Sequence, residues 1–583
     1  MAAALQWIPD SLYNSAVASV GNNYSLYEKE LRTFHGGIIF DVYYKLYKSH
    51  DLLRLGKEFE VLEQFEKVLK ITEKRQLLHN CFQALMDYSY DIAAKLADAF
   101  EKRRESIPCP TDADIDRMVK FGFSLGSFLS DAGWFVESES VYLDCLELCC
   151  GACVPVVKPG AFPMILECYK RVLHVRNSYC KIKEALQTCK EAEAFIEQIQ
   201  HYKEKANFAG IYSEVSAFYF IQSNYKEAYN WSVKAIECMD SSLSPREIVN
   251  ILCNAAKACV VKKQFRQAEL LIKQAVQRAS ERFGSRHLFV ANALIDYGYY
   301  LLHNDSSGHA VKVYQKALDI RINVLGGNNL LVAIAHEDLA YASYVYEYSS
   351  GNFQDARAHV EKALAIKAYL LQPDHFLLPS VKRVNALILE EIAIDSHDKE
   401  VQRRLFVEAE EFHTSALQIT KQCLGELTVQ TGKHYGNLGR LYQSMKKFNK
   451  ARKMHQRAIA IKKEILGPDD YEVAISMGHL ASLYNYDLGL YKEAEQLYLK
   501  AIDIGLKQFG KGYSGLEYDY RGLLRVYSQL GDSAKVSQLH FDLHVWKNLH
   551  DQTLEAADKT SPFSFELDPI IPEEIYPFFL GAQ

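Results

Sequence analysis

From residue 228 onward an alanine recurs at Ala228, Ala268, Ala310, Ala356, Ala409, Ala451 and Ala494, with Val536 in the same register, at steps of 40, 42, 46, 53, 42, 43 and 42 residues. A period of this length leaves few folds open, because one repeat cannot bury its own apolar face and neighbours must stack into a solenoid. The pattern inside the period says what stacks. NLGRLYQSMKKFNKARKMHQRAIAIKKEILG (437–467) lies over HLASLYNYDLGLYKEAEQLYLKAIDIGLKQFG (479–510): Leu, a small residue, Leu-Tyr, then aromatic-x-x-Ala and a second alanine seven residues on. Two helices per unit follow. Gly439 or Ala481 on the first and Ala451 or Ala494 on the second let the pair approach closely, while Leu438, Tyr442 and Ala458 fill the seam. Weaker copies occur at 124–146 and around Ala185 and Ala192.

The period also disposes of a nucleotide-binding reading. Gly510, Gly512 and Gly515 in FGKGYSGLEYDYRG have the spacing of a dinucleotide fingerprint. That motif works only where a buried strand enters the loop, and the residues before it place Leu497, Ala501 and Ile504 at helical steps. Gly510 is instead expected to end a helix, at a junction equivalent to those at 283–287, 325–329, 371–375 and 466–470.

Composition fits a folded protein: 49% of the 583 residues are apolar and 24% charged. No apolar run reaches the ~18 residues a bilayer span needs, and the start lacks a basic end followed by an apolar stretch, so a cytoplasmic and nuclear location is expected, with its thirteen cysteines mostly reduced. Residues 551–583 hold seven acids against Lys559, which accounts for the whole net charge of -6 and leaves a neutral body, arguing against nucleic-acid binding. This acidic, proline- and aromatic-rich tail is expected to be a disordered, extended appendage.

Chemical sites are thin. His540 and His544 lie four apart on a predicted helix without a third ligand, and Cys145, Cys149, Cys150 and Cys153 make one C-x-x-C pair without a second, so no metal is expected. There is no G-x-S-x-G, Walker loop or H-E-x-x-H, hence no expected catalysis or cofactor. A binding groove is better supported, since the first helix of each hairpin lines the concave side. Aligning units on Gly298, Ala340, Gly439, Ala481 and Leu524 predicts a groove with Asp296, Tyr299, Glu337, Asp338, Tyr341 and Tyr344 early and Asn437, Arg440, His479, Asn485, Arg521 and Arg525 late. Acids before bases would suit an extended peptide with an arginine upstream and a free carboxylate at its end.

The aromatic-x-x-Ala motif and its junctions resemble the tetratricopeptide repeat, in the long variety of kinesin light chains. The fold expected is therefore all-α: an N-terminal helical docking segment (1–60), divergent helical repeats (61–200), a tetratricopeptide-type hairpin solenoid (201–550) and the tail (551–583). Over residues 5–550, stretches such as SDAGW, HEDLAYASYV, LILEEIAID and KHYGNLGRLYQSM resemble a family of tetratricopeptide-repeat substrate receptors of cullin-2 ubiquitin ligases. That resemblance implies a non-catalytic receptor that holds C-terminal degrons containing arginine and glycine, with ties to microtubules and amyloid precursor protein. It also implies partners at the N-terminus. Leu12, Ala16 and Val20, on one helical face between a capping Asp10 or Ser11 and a stop at Gly21, resemble a box that binds elongin C with its companion elongin B, with Ala16 where cysteine is usual. Phe34, Ile38 and Val42 resemble a cullin-2 box, with His35 where proline is usual. The alternative is a transport or microtubule-associated adaptor of kinesin light chain type, using the same groove for internal cargo motifs.

Overall fold

The computed structural model describes residues 11–107, 110–151, 161–200, 207–348, 350–558, 561–564 and 570–581. Among them there are twenty-eight α-helices and no strand. Ala228, Ala268, Ala310, Ala356, Ala409, Ala451 and Ala494 are all fully buried on the second helix of a hairpin, within its first turn except for Ala409, which lies ten residues into Lys399–Leu424.

The unit Val429–Ser444 with Phe448–Leu466 shows why the sequence folds this way. Thr428 caps the first helix, its hydroxyl accepting from the Thr431 N–H at 3.1 Å. Lys446 turns the chain at φ 59°, and Phe448 starts the return helix. The same left-handed turn residue recurs at Ser223, Lys263 and Asp305 with φ of 61–62°. A Cβ on Gly439 would stand 2.6 Å from the His455 ring, so this position holds the helices closer than any other side chain allows. Gly510 has φ +81° and its N–H bonds to the Leu506 carbonyl at the end of Tyr491–Phe509, the helix stop that the repeat predicts.

The chain divides into two compact units. One comprises Met1–Tyr179, Gln187–Ala206 and Ile320–Val332; the other comprises Cys180–Leu186, Asn207–Asp319 and Ala333–Gln583. No division falls at the expected boundary of 60, and residues 180–206 are shared out between the two units instead of parting at 200. The N-terminal helices and the divergent repeats share one core running from Tyr24 to Cys168, so no boundary can fall between them. Its centre is a set of fully buried rings: Phe128 meets Phe65 edge-on at 5.6 Å and Phe82 at 5.1 Å, and the His79 imidazole stacks on it at 4.4 Å. Segment 320–332 is tied into this unit through Asn329, whose amide donates to the Ala132 carbonyl at 2.7 Å and to Gln83 at 3.1 Å.

Two further expectations are corrected. Gly21 does not stop the first helix, which spans Leu12–Asn22; Gly21 is buried against Lys45, where a side chain would not fit. Ser11 is its cap, and Asp10 lies outside the described residues. The tail is not simply a disordered appendage. Pro572–Gly581 is a helix whose Ile575 and Phe579 are fully buried, because these two, four apart, give even this short acidic segment an apolar stripe; residues 565–569 lie outside the described ones.

Candidate functional site

Within the second unit the repeats coil until early hairpins meet late ones. The Ser514 N–H and O–H donate to the Asp305 carboxylate at 3.0 and 2.5 Å. The Lys263 amine stands 5.5 Å from the Phe509 ring and 5.6 Å from that of Tyr471, and Phe265 meets Phe509 at 5.8 Å. A cavity of about 700 Å³ remains at this seam, lined by Tyr225, Lys263, Thr428, Leu466, Asp470 and Gln508 among others.

The predicted groove residues do come from the first helices of their hairpins, but not as a row of free charges. Asp296 pairs with Lys257 at 3.2 Å. Glu337 is buried against the Lys367 amine, which also donates to the Leu377 carbonyl at 2.9 Å, so it is withdrawn from the groove. Asn485 is 1% exposed, and its amide donates to the Gly522 carbonyl at 2.9 Å inside the wall. Arg521 points outward, 68% exposed, in a helical pair with Glu517. Arg525 lies over the Tyr486 ring at 4.7 Å, and Arg383 covers Tyr341 at 4.8 Å. Asp338 and Asn437 are half-buried, and Tyr299 packs edge-on against Phe220 at 6.1 Å. The early-acid, late-base sorting therefore does not survive. Lys257, Lys367, Glu390 and Glu391, which the alignment passed over, neutralise it locally.

Arg440 occupies the best-defined polar centre. Its guanidinium contacts Glu390 at 3.2 Å and Glu391 at 3.1 Å, while the Ser444 hydroxyl donates to Glu390 at 2.8 Å and the Tyr344 hydroxyl to Glu391 at 3.2 Å. Burial alone would depress the Arg440 pKa; Glu390, Tyr344 and Glu391 reverse that and hold it well above the ordinary range. Nearby, His479 faces His455 at 6.1 Å and Tyr518 at 6.0 Å, and burial followed by the Arg440 charge keeps its imidazole neutral. A second centre joins Lys433 and Lys462 to Glu472, both at 2.9 Å. Burial works against the Glu472 carboxylate, but the two ammonium groups hold its pKa well below normal.

Asp519 was not anticipated. One of its carboxylate oxygens is buried without a hydrogen bond, and burial pushes its pKa up to about 8. The signal was in the sequence: in EYDYR it sits between two tyrosines opposite Gly478, whose missing side chain leaves room for it. Around these acids and bases Tyr348, Tyr486 and Tyr518 keep about half their surface exposed, giving flat contact faces that lose little conformational entropy when covered.

At the N-terminus, Leu12 is 89% exposed, Ala16 is exposed and Val20 packs partly into the core. Phe34 and Ile38 are exposed on the neighbouring turn and helix, and Leu26 is exposed on the helix Tyr24–Leu31 before them. Val42 is 1% exposed and belongs to the core, which corrects its expected role as a docking contact: the helix Gly36–Lys48 turns that residue inward with Ile39, Tyr43 and Leu46. The frame is rigid, since Arg32 grips Glu58 through two hydrogen bonds of 3.2 and 2.7 Å and Tyr43 adds a third of 2.8 Å. Among the described residues no cluster of His, Cys, Asp or Glu has the arrangement to hold a metal. His540 and His544 are exposed, Cys145 is buried, Cys149 half-buried and Cys150 exposed, and Cys153 lies outside the described residues.

The tetratricopeptide repeat family matches residues 401–464 and 435–507. Over 582 residues the chain is 48% identical to amyloid protein-binding protein 2 of Mus musculus, and equally to that of Rattus norvegicus, covering 100% of this chain and 98% of each relative. Among solved structures, the APC/C hetero-tetramer Cut9–Hcn1 is similar at 12% identity over 93% of both chains with a TM-score of 0.45. TPR-like repeats of a Podosopora anserina protein of kinesin light chain type are similar at 19% identity over 37% of this chain and 95% of theirs, with a TM-score of 0.28. The chain is an all-α repeat protein that belongs to the amyloid protein-binding protein 2 family.

Proposed function

We propose that the protein is a non-catalytic substrate receptor of a cullin-2 ubiquitin ligase, acting in the cytoplasm and nucleus. Elongin C, with elongin B, docks on the Leu12–Asn22 helix, cullin-2 docks beside Phe34 and Ile38, and the polar interior of the second unit holds a C-terminal peptide containing arginine and glycine. The mechanism is tethering: the receptor raises the local concentration of its peptide near an activity carried by other subunits. Within the interior, Asp519 is the acid assigned to the peptide arginine, since Asp296, Glu337 and Glu391 are committed to Lys257, Lys367 and Arg440. The relatives' name records binding to an amyloid protein, and amyloid precursor protein and microtubules stand among the partners to be tested.

The observation that supports this reading is Leu12, which leaves almost its whole side chain in water at the first turn of a capped helix. A leucine there contributes nothing to the fold and is free to fill a partner's apolar pocket. The test is co-purification of elongins B and C with the full chain and with Leu12→Asp. Wild type should capture both, and the variant, which would bury an unpaired charge, should lose at least about 100-fold in affinity with its fold intact. Wild type that captures neither elongin would overturn the receptor reading in favour of the cargo adaptor.

A further inference from the structure

Beyond the last repeat helix the chain comes back across the second helices of the first three hairpins of its unit. Lys316, on the third, covers the Phe563 ring at 4.2 Å. On the second, Gln274 accepts the Ile570 N–H at 3.2 Å and Arg278 donates to the Ile570 carbonyl. On the first, Tyr225–Glu237, the helix Pro572–Gly581 packs with Ile575 and Phe579 fully buried. Contacts on three successive hairpins make this a strap across them.

The strap's polar fastening is small and exposed. The Glu573 carboxylate accepts the Ser241 N–H at 2.7 Å and the Ser241 hydroxyl at 2.9 Å, a two-point grip on the loop before helix Pro245–Val261. Ser241 itself is exposed in the stretch DSSLSP. Its surroundings are acidic: Asp240 accepts from the Ser242 N–H at 2.9 Å and acts on Glu573 as a like charge, and Glu574 follows next in sequence. The contact takes a donating hydroxyl and, with these acids around it, tolerates no negative group in its place.

We propose that Ser241 is a phosphorylation site whose modification releases the C-terminal strap. In the reaction the hydroxyl oxygen takes the γ-phosphoryl group of a nucleoside triphosphate under a protein kinase, the hydroxyl proton leaves to the kinase's base, and a nucleoside diphosphate departs. The new group brings a charge of about -1.5 to -2 and three acceptor oxygens against a carboxylate that can only accept. Both Glu573 hydrogen bonds are lost, and repulsion replaces them. Release uncovers the apolar surface now beneath Ile575 and Phe579 and frees the first hairpins from their tie.

Hydrogen exchange of the full chain, read peptide by peptide with helix Val429–Ser444 as internal reference, tests the lock. Ser241→Glu should speed exchange in residues 572–581 by roughly 10- to 100-fold, the factor expected for losing a charge-assisted contact. Ser241→Ala loses the exposed hydroxyl bond but keeps the backbone N–H bond and adds no charge, so it should speed exchange by only about two- to fivefold. Adding Glu573→Arg to Ser241→Glu should restore protection even if the single variant loosens more than the strap. Equal exchange in the Glu and Ala variants, or no rescue by the charge swap, overturns the lock. Fragment-ion mapping of the chain expressed in animal cells under phosphatase inhibition should place phosphate on Ser241; an unmodified 238–246 peptide overturns the modification site.

Discussion

The two units are built from the same helical hairpin and differ in what dominates their interiors. In the first, Phe59, Phe65, Phe82 and Phe128 are fully buried and linked ring to ring in a dry cluster, and Phe100 is fully buried against Phe121. In the second, the helix seams are held by alanine and glycine, and the large buried side chains include Lys367, Lys462, Glu390, His413 and His455, each 3% exposed or less. The difference follows from residue size. A glycine on one helix leaves room for a ring on its partner, as Gly439 does for His455, Gly298 for Tyr314 and Gly522 for Tyr498, while the longer side chains of the inner face are polar and must find partners there. A dry cluster is stable through area alone, whereas a polar interior is stable only while every charge keeps its counterpart.

The sharpest way to break that contrast is to remove one member from each interior and follow native-state hydrogen exchange in both units of the full chain. Phe128→Ala should cost about 3–5 kcal/mol in the first unit, since the rings around it cannot close the gap. The second unit should keep its protection; matched losses in both would show that they unfold together.

Arg440→Ala should cost about 3 kcal/mol in the second unit, the low end for a broken buried pair because the guanidinium is 23% exposed. It leaves Glu390, 2% exposed, and Glu391 without their cation. Arg440→Met with Glu390→Gln and Glu391→Gln should recover most of the loss. No recovery would mean that packing, not charge, is what Arg440 supplies.

Acid should separate the units more gently. Burial lowers the pKa values of His434 and His455 to about 3, those of His303 and His336 to about 4, and those of His413 and His479 well below normal. The unfolded chain, with histidines near 6.5, binds more protons below that pH, so this contribution is complete above about 6.5 and is lost as pH falls towards 3. His434 and His455 should each remove about 2 kcal/mol at pH 5. Asp519 has the opposite sign, since the folded state holds its proton up to about 8, but one such group does not offset six histidines. Exchange at pH 7.5 and 5 should therefore loosen the second unit; a pH-independent second unit would show that water reaches these rings.

The sequence alone settled the hairpin, its period and its stops. Each of these depends on residues near one another in the chain: the alanine that must fit a helix seam, the cap at Thr428, the glycine at 510 that enters a left-handed turn. The N-terminal helix and its exposed Leu12 were legible for the same reason. What only the tertiary structure decided was which charges are free. Lys257 stands 39 residues before its partner Asp296, and Arg440 reaches back 50 residues to Glu390, across repeats whose angle to one another no local pattern records. The tail shows the same limit from the other side. Its composition reads as disorder because so short an acidic segment buries too little by itself, and its described residues, Phe563, Ile570 and the helix Pro572–Gly581 among them, gain their places only from hairpins more than 240 residues earlier in the chain.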